Sequence, residues 1–193
     1  IQEQIRTAWR AFNSDGIPNS DCAGLVAADT AAYRSCRIWG APSARPTVAV
    51  WGDSMSVAWM PPFFALAREH GWRVIQFSHT GCPPILNVRR TDLKDVECRD
   101  AALPAQIVEA IRRAKPDVVF LIARWNLYYH GHIKNDVLVD DSFITDGPGP
   151  ADAVSAKGAF ERNLPETMNQ LSEFSRLVVF KDTPVLKVPV DVG

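Results

Sequence analysis

Four short apolar segments, rich in β-branched residues, recur along the chain and alternate with segments of helical periodicity. Segments of this kind are typical of buried strands. They lie at 47–51, 72–77, 117–123 and 176–180. The third is apolar on both faces, as a central strand of a parallel sheet is. The alternating order β-α-β-α-β-α-β therefore predicts an α/β fold, in which helices cover both faces of a parallel sheet.

The intervening helices are predicted from apolar periodicity and from their end signals. The first is expected to be firm from Pro61, which suits a first helical turn, and to stop at Gly71. The second covers about 103–113 and the third 157–174. Between the third strand and the third helix, the acid-rich segment 129–155 is predicted to be a long, solvated, flexible loop. Its acidic residues lack the spacing of an EF-hand calcium loop.

Composition and charge exclude several classes of protein. Apolar residues make up 47% of the chain and charged residues 22%, which is close to the average of globular domains. The 21 Lys and Arg residues balance 22 Asp and Glu residues, so the formal net charge is -1. Without a basic excess, nucleic acid is not expected as a partner. Apolar runs such as 118–123 are far too short to span a bilayer.

The sequence predicts that the chain divides into two parts and that it belongs to a longer polypeptide. Residues 1–45 are expected to form a helical, disulfide-pinned lead-in, and residues 46–193 an α/β domain. The first ten residues are amphipathic and lack the pattern of a signal peptide. No closing helix is evident near Gly193. We therefore expect the sequence to be a piece of a longer polypeptide, with the α/β domain incomplete at its C-terminal end.

The four cysteines are Cys22, Cys36, Cys82 and Cys98. No pair has C-x-x-C spacing, so a structural zinc site is not expected. Of the three possible pairings, the one between sequence neighbours closes the shortest loops, each worth about 3 kcal/mol. Four buried thiols in a cytosolic protein are the alternative. The polar surroundings of Cys36 and Cys98 favour disulfides, and hence an oxidising compartment such as a periplasm.

The first strand ends in Gly52-Asp53-Ser54, at the edge where parallel α/β sheets bind their ligands. Gly52 allows a tight turn, and Ser54 then lies at the start of a helix. Backbone N–H groups and the helix dipole favour negative charge there. This position suits a nucleophile whose attack generates an oxyanion. The alternative is that Ser54 or Asp53 merely caps the helix.

The ends of the second and third strands also carry candidate residues. After the second strand, Gly81 offers a backbone N–H to an oxyanion, or it belongs only to a tight loop fixed by a disulfide and two prolines. After the third strand, Arg124 would bind a carboxylate or pair with a local acid. Trp125 would line a pocket or pack in the core, and Asn126 would donate to an oxyanion.

Taken together, Gly52-Asp53-Ser54, Gly81 and Asn126 resemble the first three sequence blocks of the SGNH (GDSL-type) hydrolase superfamily. The segments 50–54, 80–84 and 123–128, with a cysteine pair upstream, are more narrowly similar to one subgroup. That subgroup is the extracytoplasmic SGNH domain fused to membrane acyltransferases of the acyltransferase-three family. The resemblance covers about 22–186, and it implies a flavodoxin-like three-layer sandwich.

The resemblance implies that Ser54 is a nucleophile that accepts an acyl group. The N–H groups of Ser54 and Gly81, with Asn126, would form an oxyanion hole. The supporting residues would be Gly52, Asp53, Arg124 and Trp125. In this family the membrane part delivers an acyl group, commonly acetyl, and the SGNH domain passes it to a cell-surface glycan. No further cofactor and no metal are expected.

A general base for Ser54 is not evident in the sequence. The family's C-terminal Asp-x-x-His block has no counterpart, and Met55 stands where the subgroup usually has His. A serine hydroxyl is a poor nucleophile unless a base takes its proton. His70 is expected to be structural, whereas His79, His130 and His132 follow strands on the correct edge but are expected to be surface or substrate-loop residues. The chain by itself is therefore expected to show little or no turnover.

A non-catalytic glycan-binding or assembly module on the same scaffold is the alternative function. Its sugar-stacking residues would be Trp51, Trp59, Trp72 and Trp125. A nucleotide-binding domain has little support, because neither G-x-G-x-x-G nor a P-loop follows any predicted strand.

Overall fold

A computed structural model describes residues 19–90, 97–134, 137–140, 143–149 and 151–182. Its strands are β1 (Cys36–Trp39), β2 (Thr47–Gly52), β3 (Arg73–Ser78), β4 (Arg89–Arg90), β5 (Val118–Ile122), β6 (His132–Lys134), β7 (Val137–Asp140), β8 (Ile144–Thr145) and β9 (Arg176–Val179). Its α-helices are α1 (Ala31–Ser35), α2 (Ser54–Ala58), α3 (Met60–His70), α4 (Ala102–Ala114), α5 (Trp125–His130) and α6 (Ala153–Ser172). Two 3₁₀ turns cover Asn19–Gly24 and Glu97–Arg99.

The central sheet has five strands in the order β1-β3-β2-β5-β9. All four predicted strands are present and parallel to one another, which confirms the α/β fold. A fifth strand, β1, pairs antiparallel with β3 at one edge, with Cys36 opposite Phe77 and Trp39 opposite Val74. Periodicity did not reveal this four-residue strand. Because β1 comes from the predicted lead-in 1–45, the sheet extends across the predicted boundary at residue 45.

Helices cover both faces of the sheet, as the three-layer prediction requires. On one face, α3 packs through Met60 and Phe63 against Val48 and Val50 of β2. On the other face, α1, α4 and α6 pack against alternate residues of the same strands, such as Trp51. β2 lies between both layers and is buried along its whole length, which explains why its sequence is continuously apolar.

The predicted helices are present, with shifted ends. α3 stops at Gly71, which has a left-handed conformation with φ of 66°. The last helix, α6, begins four residues before the predicted 157. Its start is set by a capping box: the Asp152 carboxylate accepts from the Ser155 N–H at 2.7 Å, and the Ser155 hydroxyl oxygen accepts from the Asp152 N–H at 2.9 Å.

The prediction that 129–155 is one long loop is wrong for the part of it that the structure describes. Helix α5 continues to His130, β6 and β7 form an antiparallel pair, and β8 pairs with β4. These strands have only two to four residues, so their alternation is too short to distinguish from a loop.

Both predicted disulfides are present. Cys22 and Cys36 join the first 3₁₀ turn to β1 with a Cα–Cα distance of 6.2 Å, and Cys82 and Cys98 join the loop after β3 to the second 3₁₀ turn at 5.2 Å. The predicted helical lead-in before residue 19 and the last segment, 183–193, lie outside the described residues. Among the described helices, none combines the length and apolar character needed to cross a membrane.

Candidate functional site

Three segments that the sequence singled out lie at one edge of the sheet. In the strand register, Gly52 at the end of β2 is opposite Ser78 of β3 on one side and Ile122 of β5 on the other. The residues that follow these three strand ends are therefore neighbours. A hydrogen bond of 3.1 Å from the His79 N–H to the Gly52 carbonyl links the first two of them.

Gly52 is required by the close approach of two backbones. A Cβ atom at this position would overlap the carbonyl oxygen of Ile122 and would lie 2.8 Å from the Cβ of Ser56. Any side chain here would push β5 or α2 away from β2. Gly52 therefore lets β2 turn directly into α2 while it stays paired with β5.

Ser54 is the first residue of α2, and it is exposed. The residue that caps the helix is Asp53, whose Oδ1 accepts from the Met55 N–H at 2.8 Å. Of the two candidate caps, Asp53 is therefore the one that caps the helix, and Ser54 does not. Within the described part of the chain, the Ser54 hydroxyl has no hydrogen-bond partner. An exposed hydroxyl that is not used for structure is available for chemistry.

Asp53 also fixes the neighbouring strand end. Its side chain is buried, and its Oδ2 accepts from the Arg124 N–H at 3.0 Å and from the Tyr128 hydroxyl at 2.7 Å. One carboxylate therefore receives three hydrogen bonds, two of them from α5 and the residue before it. The turn that carries Ser54 and the helix that carries Asn126 are held together by this side chain.

Tyr128 is a residue of this site that sequence analysis did not assign. It is completely buried, and burial, followed by the charge and hydrogen bond of Asp53, raises the pKa of its hydroxyl well above the ordinary value. The hydroxyl therefore keeps its proton at neutral pH and donates it to Asp53. The signal in the sequence was its spacing, because a residue four positions after Arg124 lies on the same side of a short helix.

The loop after β3 is held by several contacts around Gly81. Gly81 has φ of 78°, a conformation that favours glycine, and its carbonyl accepts from an Arg90 guanidinium N–H at 3.2 Å. The Cys82 N–H donates to the His79 carbonyl at 3.0 Å, and the Cys82–Cys98 disulfide closes the loop. The tight-loop interpretation is therefore correct, and a role of the Gly81 N–H toward an oxyanion stays a prediction.

The candidates after β5 take three different positions. Arg124 is exposed, and its backbone N–H is the part that contacts Asp53. Trp125 is buried, and its indole N–H donates to the Phe180 carbonyl at 2.7 Å. It therefore packs in the core, which was one of the two predicted positions.

Asn126 is exposed, and its backbone N–H donates to the Asp182 carboxylate at 2.7 Å. Its side chain is accessible at the same edge as Ser54.

The histidines do not supply a base among the contacts of the described residues. The Nδ1 atom of His79 lies 3.1 Å from the Cys82 sulfur and 3.4 Å from the Thr80 carbonyl oxygen. His70 ends α3, and His130 packs edge-on against the neighbouring Tyr129 ring. The side chain of His132 lies outside what is described. Within the described residues, neither a histidine nor a carboxylate contacts the Ser54 hydroxyl.

One cluster has the composition of a metal site. The side chains of His79, Cys82 and Cys98 have their potential ligand atoms within 4.8 Å of one another. Because the two sulfurs are bonded to each other, they offer no thiolate to a metal ion. This cluster is therefore a disulfide packed beside an imidazole.

Comparisons with known proteins add to this geometry. The model of the family described as "SGNH domain (fused to AT3 domains)" matches residues 21–192. A similar solved structure is the periplasmic domain of a lipopolysaccharide acetyltransferase from Salmonella ser. Paratyphi A, with a TM-score of 0.45 and 18% identity over 69% of this chain. That match covers 43% of the solved chain, so the present chain spans less than half of its length. None of the curated protein sequences matches.

Proposed function

Because the chain belongs to the family of SGNH domains fused to AT3 (acyltransferase-three) domains, we propose that it moves an acyl group to or from a cell-surface glycan through an acyl-Ser54 intermediate. The acyl group we favour is acetyl. The observation that carries the proposal is the position of Ser54. It is exposed at the start of α2, just after a buried strand, and the buried Asp53 holds its turn through hydrogen bonds to Met55 and Tyr128.

The proposed chemistry is ping-pong acyl transfer. The Ser54 Oγ attacks the carbonyl carbon of the acyl donor while a base takes its proton, and the donor's leaving group departs. The negative oxygen of the tetrahedral intermediate is stabilised by the N–H groups of Ser54 and Gly81 and by the Asn126 side chain. A glycan hydroxyl, or water, then attacks the acyl-serine ester and restores the serine.

The base in this mechanism is assigned to a group outside the described residues. The Ser54 hydroxyl lacks a contact with any described histidine or carboxylate. Without a base, a serine hydroxyl reacts slowly. We therefore expect little or no turnover from the 193-residue chain by itself.

The partners follow from the family. We propose that an AT3 membrane domain in the same polypeptide delivers the acyl group, so that no soluble cofactor is needed. The glycan is the acceptor. The two disulfides support a location outside the cytoplasm, which we take to be the periplasm, with the AT3 part anchoring the domain to the inner membrane.

The test is to locate the acyl group. The chain and the polypeptide with its AT3 domain are incubated with an activated acetyl ester and analysed by peptide mass spectrometry. In the polypeptide with its AT3 domain we expect acetylation at Ser54 that disappears in Ser54→Ala, whereas the chain by itself should be acetylated at Ser54 only slowly. The matched control is Ser172→Ala, which changes another exposed serine at the end of α6. Glycan acetylation that persists in Ser54→Ala would refute the acyl-Ser54 intermediate.

The alternative, a non-catalytic glycan-binding module, has one supporting observation. Of the four candidate tryptophans, Trp51 and Trp125 are buried, whereas Trp59 is 43% exposed and packs edge-on against Phe180 at 5.0 Å. Trp59 is thus the best placed of the four to stack on a sugar. Polysaccharide affinity that is lost in Trp59→Ala, but unchanged in Ser54→Ala, would favour this function.

A further inference from the structure

Gln76 is a buried polar residue in an otherwise apolar layer. It is 3% exposed and lies in β3 opposite Val50, on the face of the sheet that also carries Val48 and Val74. Among the described residues, its side-chain oxygen has no hydrogen-bond partner. Leaving a buried acceptor unsatisfied costs about 1–3 kcal/mol. Stability by itself therefore does not account for a glutamine at this position.

The amide nitrogen of Gln76 begins a chain of hydrogen bonds that ends beneath Ser54. The Nε2 atom donates to the Ser78 hydroxyl at 2.8 Å. The hydroxyls of Ser78 and Ser56 are 2.6 Å apart. The Ser56 hydroxyl donates to the backbone carbonyl of Asp53, also at 2.6 Å. Three side chains from β3 and α2 thus connect the interior of the sheet to the turn at the candidate site.

Counting the available protons identifies the donor of each hydrogen bond in this series, and every bond runs from Gln76 toward Asp53. A carbonyl oxygen can only accept, so the single proton of the Ser56 hydroxyl goes to Asp53. The proton between the two hydroxyls must then come from Ser78. Ser78 has no second proton, so the group facing it must be the donating nitrogen of Gln76 rather than its oxygen. A flipped amide would leave the contact between the two serine oxygens without a proton.

The carbonyl at the end of this series of hydrogen bonds is that of Asp53. It belongs to the same peptide group as the Ser54 N–H. In a trans peptide the C=O and N–H point in opposite directions, so the Ser54 N–H points away from the Ser56 hydroxyl. Hydrogen bonds to the oxygen polarise the peptide and strengthen its N–H as a donor. The Asp53 oxygen accepts a second bond, from the Ser56 N–H at 3.1 Å.

We propose that Gln76, Ser78 and Ser56 are positioning residues, which orient and polarise the Asp53–Ser54 peptide so that the Ser54 N–H becomes a strong oxyanion donor. The three side chains act on this peptide and do not touch the acyl group. The proposal rests on the proposed function only in taking Ser54 as the place where the oxyanion forms. It explains why a costly buried glutamine lies two residues before the end of β3.

The test separates this role from a structural one by a spectroscopic signature. In Gln76→Leu the unsatisfied oxygen and the donor are both removed, and Val48, Val50 and Val74 on the same face of the sheet are apolar. We expect unchanged or higher thermal stability, together with an upfield shift of the Ser54 amide ¹⁵N resonance. The matched control is Gln106→Leu, because the Gln106 side-chain oxygen is also buried without a partner but belongs to α4. It should leave the Ser54 resonance unchanged.

Three further variants keep the test decisive if Gln76→Leu does not fold. Ser78→Ala removes the middle link and should move the Ser54 resonance in the same direction. Ser56→Ala should move it further, and Ser56→Thr, which restores a hydroxyl, should move it back. A Ser54 amide that responds to Ser56→Ala but to neither Gln76→Leu nor Ser78→Ala would overturn the proposal. A lower melting temperature without any change at Ser54 would do the same.

Kinetics in the polypeptide with its AT3 domain provide a second readout. Loss of one oxyanion donor lowers kcat by about 10²–10³, so a weakened donor should lower it by about three- to tenfold with KM unchanged. Ser54→Ala distinguishes the two proposals. If Ser54→Ala has no effect on turnover, the proposed function fails, while the Ser54 amide resonance still decides whether the hydrogen-bond chain acts on this peptide.

Discussion

The Tyr128 hydroxyl donates a hydrogen bond of 2.7 Å to the Oδ2 atom of Asp53, and both side chains are almost fully buried. Asp53 follows β2, whereas Tyr128 lies in α5 after β5. The bond therefore joins two strand ends whose residues are 75 positions apart in the chain. It holds the turn of Ser54 against the helix that begins beside Asn126.

Removal of this hydroxyl is expected to destabilise the fold. In Tyr128→Phe, Asp53 loses one of its three donors, and a hydrogen bond to a charged group contributes about 1.5–3 kcal/mol. The measurement is the free energy of unfolding in urea at pH 7. The control is Tyr129→Phe, since the Tyr129 hydroxyl donates to Glu161 at an exposed site and should contribute less than about 1 kcal/mol. Equal losses in the two variants would contradict the expectation.

The same pair predicts a loss of stability in alkali. Burial, and then the charge and hydrogen bond of Asp53, raise the pKa of Tyr128 in the folded state, while the charges of Arg90 and Arg124 oppose this. The unfolded tyrosine ionises near pH 10. The contribution of Tyr128 to the free energy of unfolding is therefore fully present below about pH 10, and it decreases as the pH rises toward the folded-state pKa. We expect the stability difference between wild type and Tyr128→Phe to shrink above pH 10. Urea unfolding at pH 8 and at pH 10.5 measures it, and a constant difference would contradict this linkage.

Gly52→Ala is expected to disrupt the sheet edge. The added methyl group would overlap the Ile122 carbonyl, which is a backbone atom and cannot move without separating β2 from β5. We expect the free energy of unfolding to fall by more than about 3 kcal/mol, or the variant to fail to fold. Gly24→Ala is the control, because a Cβ there would have no atom within 4 Å. Urea unfolding and circular dichroism compare the two. A Gly52→Ala protein as stable as Gly24→Ala would show that the strands can separate at little cost.

Each disulfide is expected to contribute about 3 kcal/mol, because the linked residues are 14 and 16 positions apart. The denatured but unreduced chain should take up no alkylating reagent, since its four cysteines include no free thiol. The double variants Cys22→Ala/Cys36→Ala and Cys82→Ala/Cys98→Ala measure each contribution by urea unfolding. Alkylation of the unreduced chain would refute the pairing.

The strands were predictable because their signals are local. The segment at β2 is continuously apolar since helices cover both of its faces, and the turn at Gly52 follows it directly. In contrast, β1 was not predictable from its four residues, Cys-Arg-Ile-Trp, because its pairing depends on β3, which lies far along the chain. The short strands in 129–155 were missed because two to four residues show too little alternation to distinguish a strand from a loop.

The site was predictable in its members but not in its connections. Gly52, Asp53 and Ser54 follow from a strand that ends in a tight turn. That Asp53 rather than Ser54 caps α2 depends on which side chain reaches the Met55 N–H, and a sequence with both residue types allows either. The sequence allowed Trp125 either to line a pocket or to pack in the core. Its hydrogen bond to the Phe180 carbonyl shows that it packs in the core.

By itself, the sequence determined the alternation of strands and helices and the three segments at the strand ends, and it favoured the cysteine pairing that closes the shortest loops. All of these depend on spacing and residue type within about twenty positions. Only the tertiary structure decided that Tyr128 holds Asp53 and that Gln76 reaches the Asp53 carbonyl through Ser78 and Ser56. These contacts require strands distant in the chain to lie side by side, and hydrogen bonds form only at distances of about 3 Å.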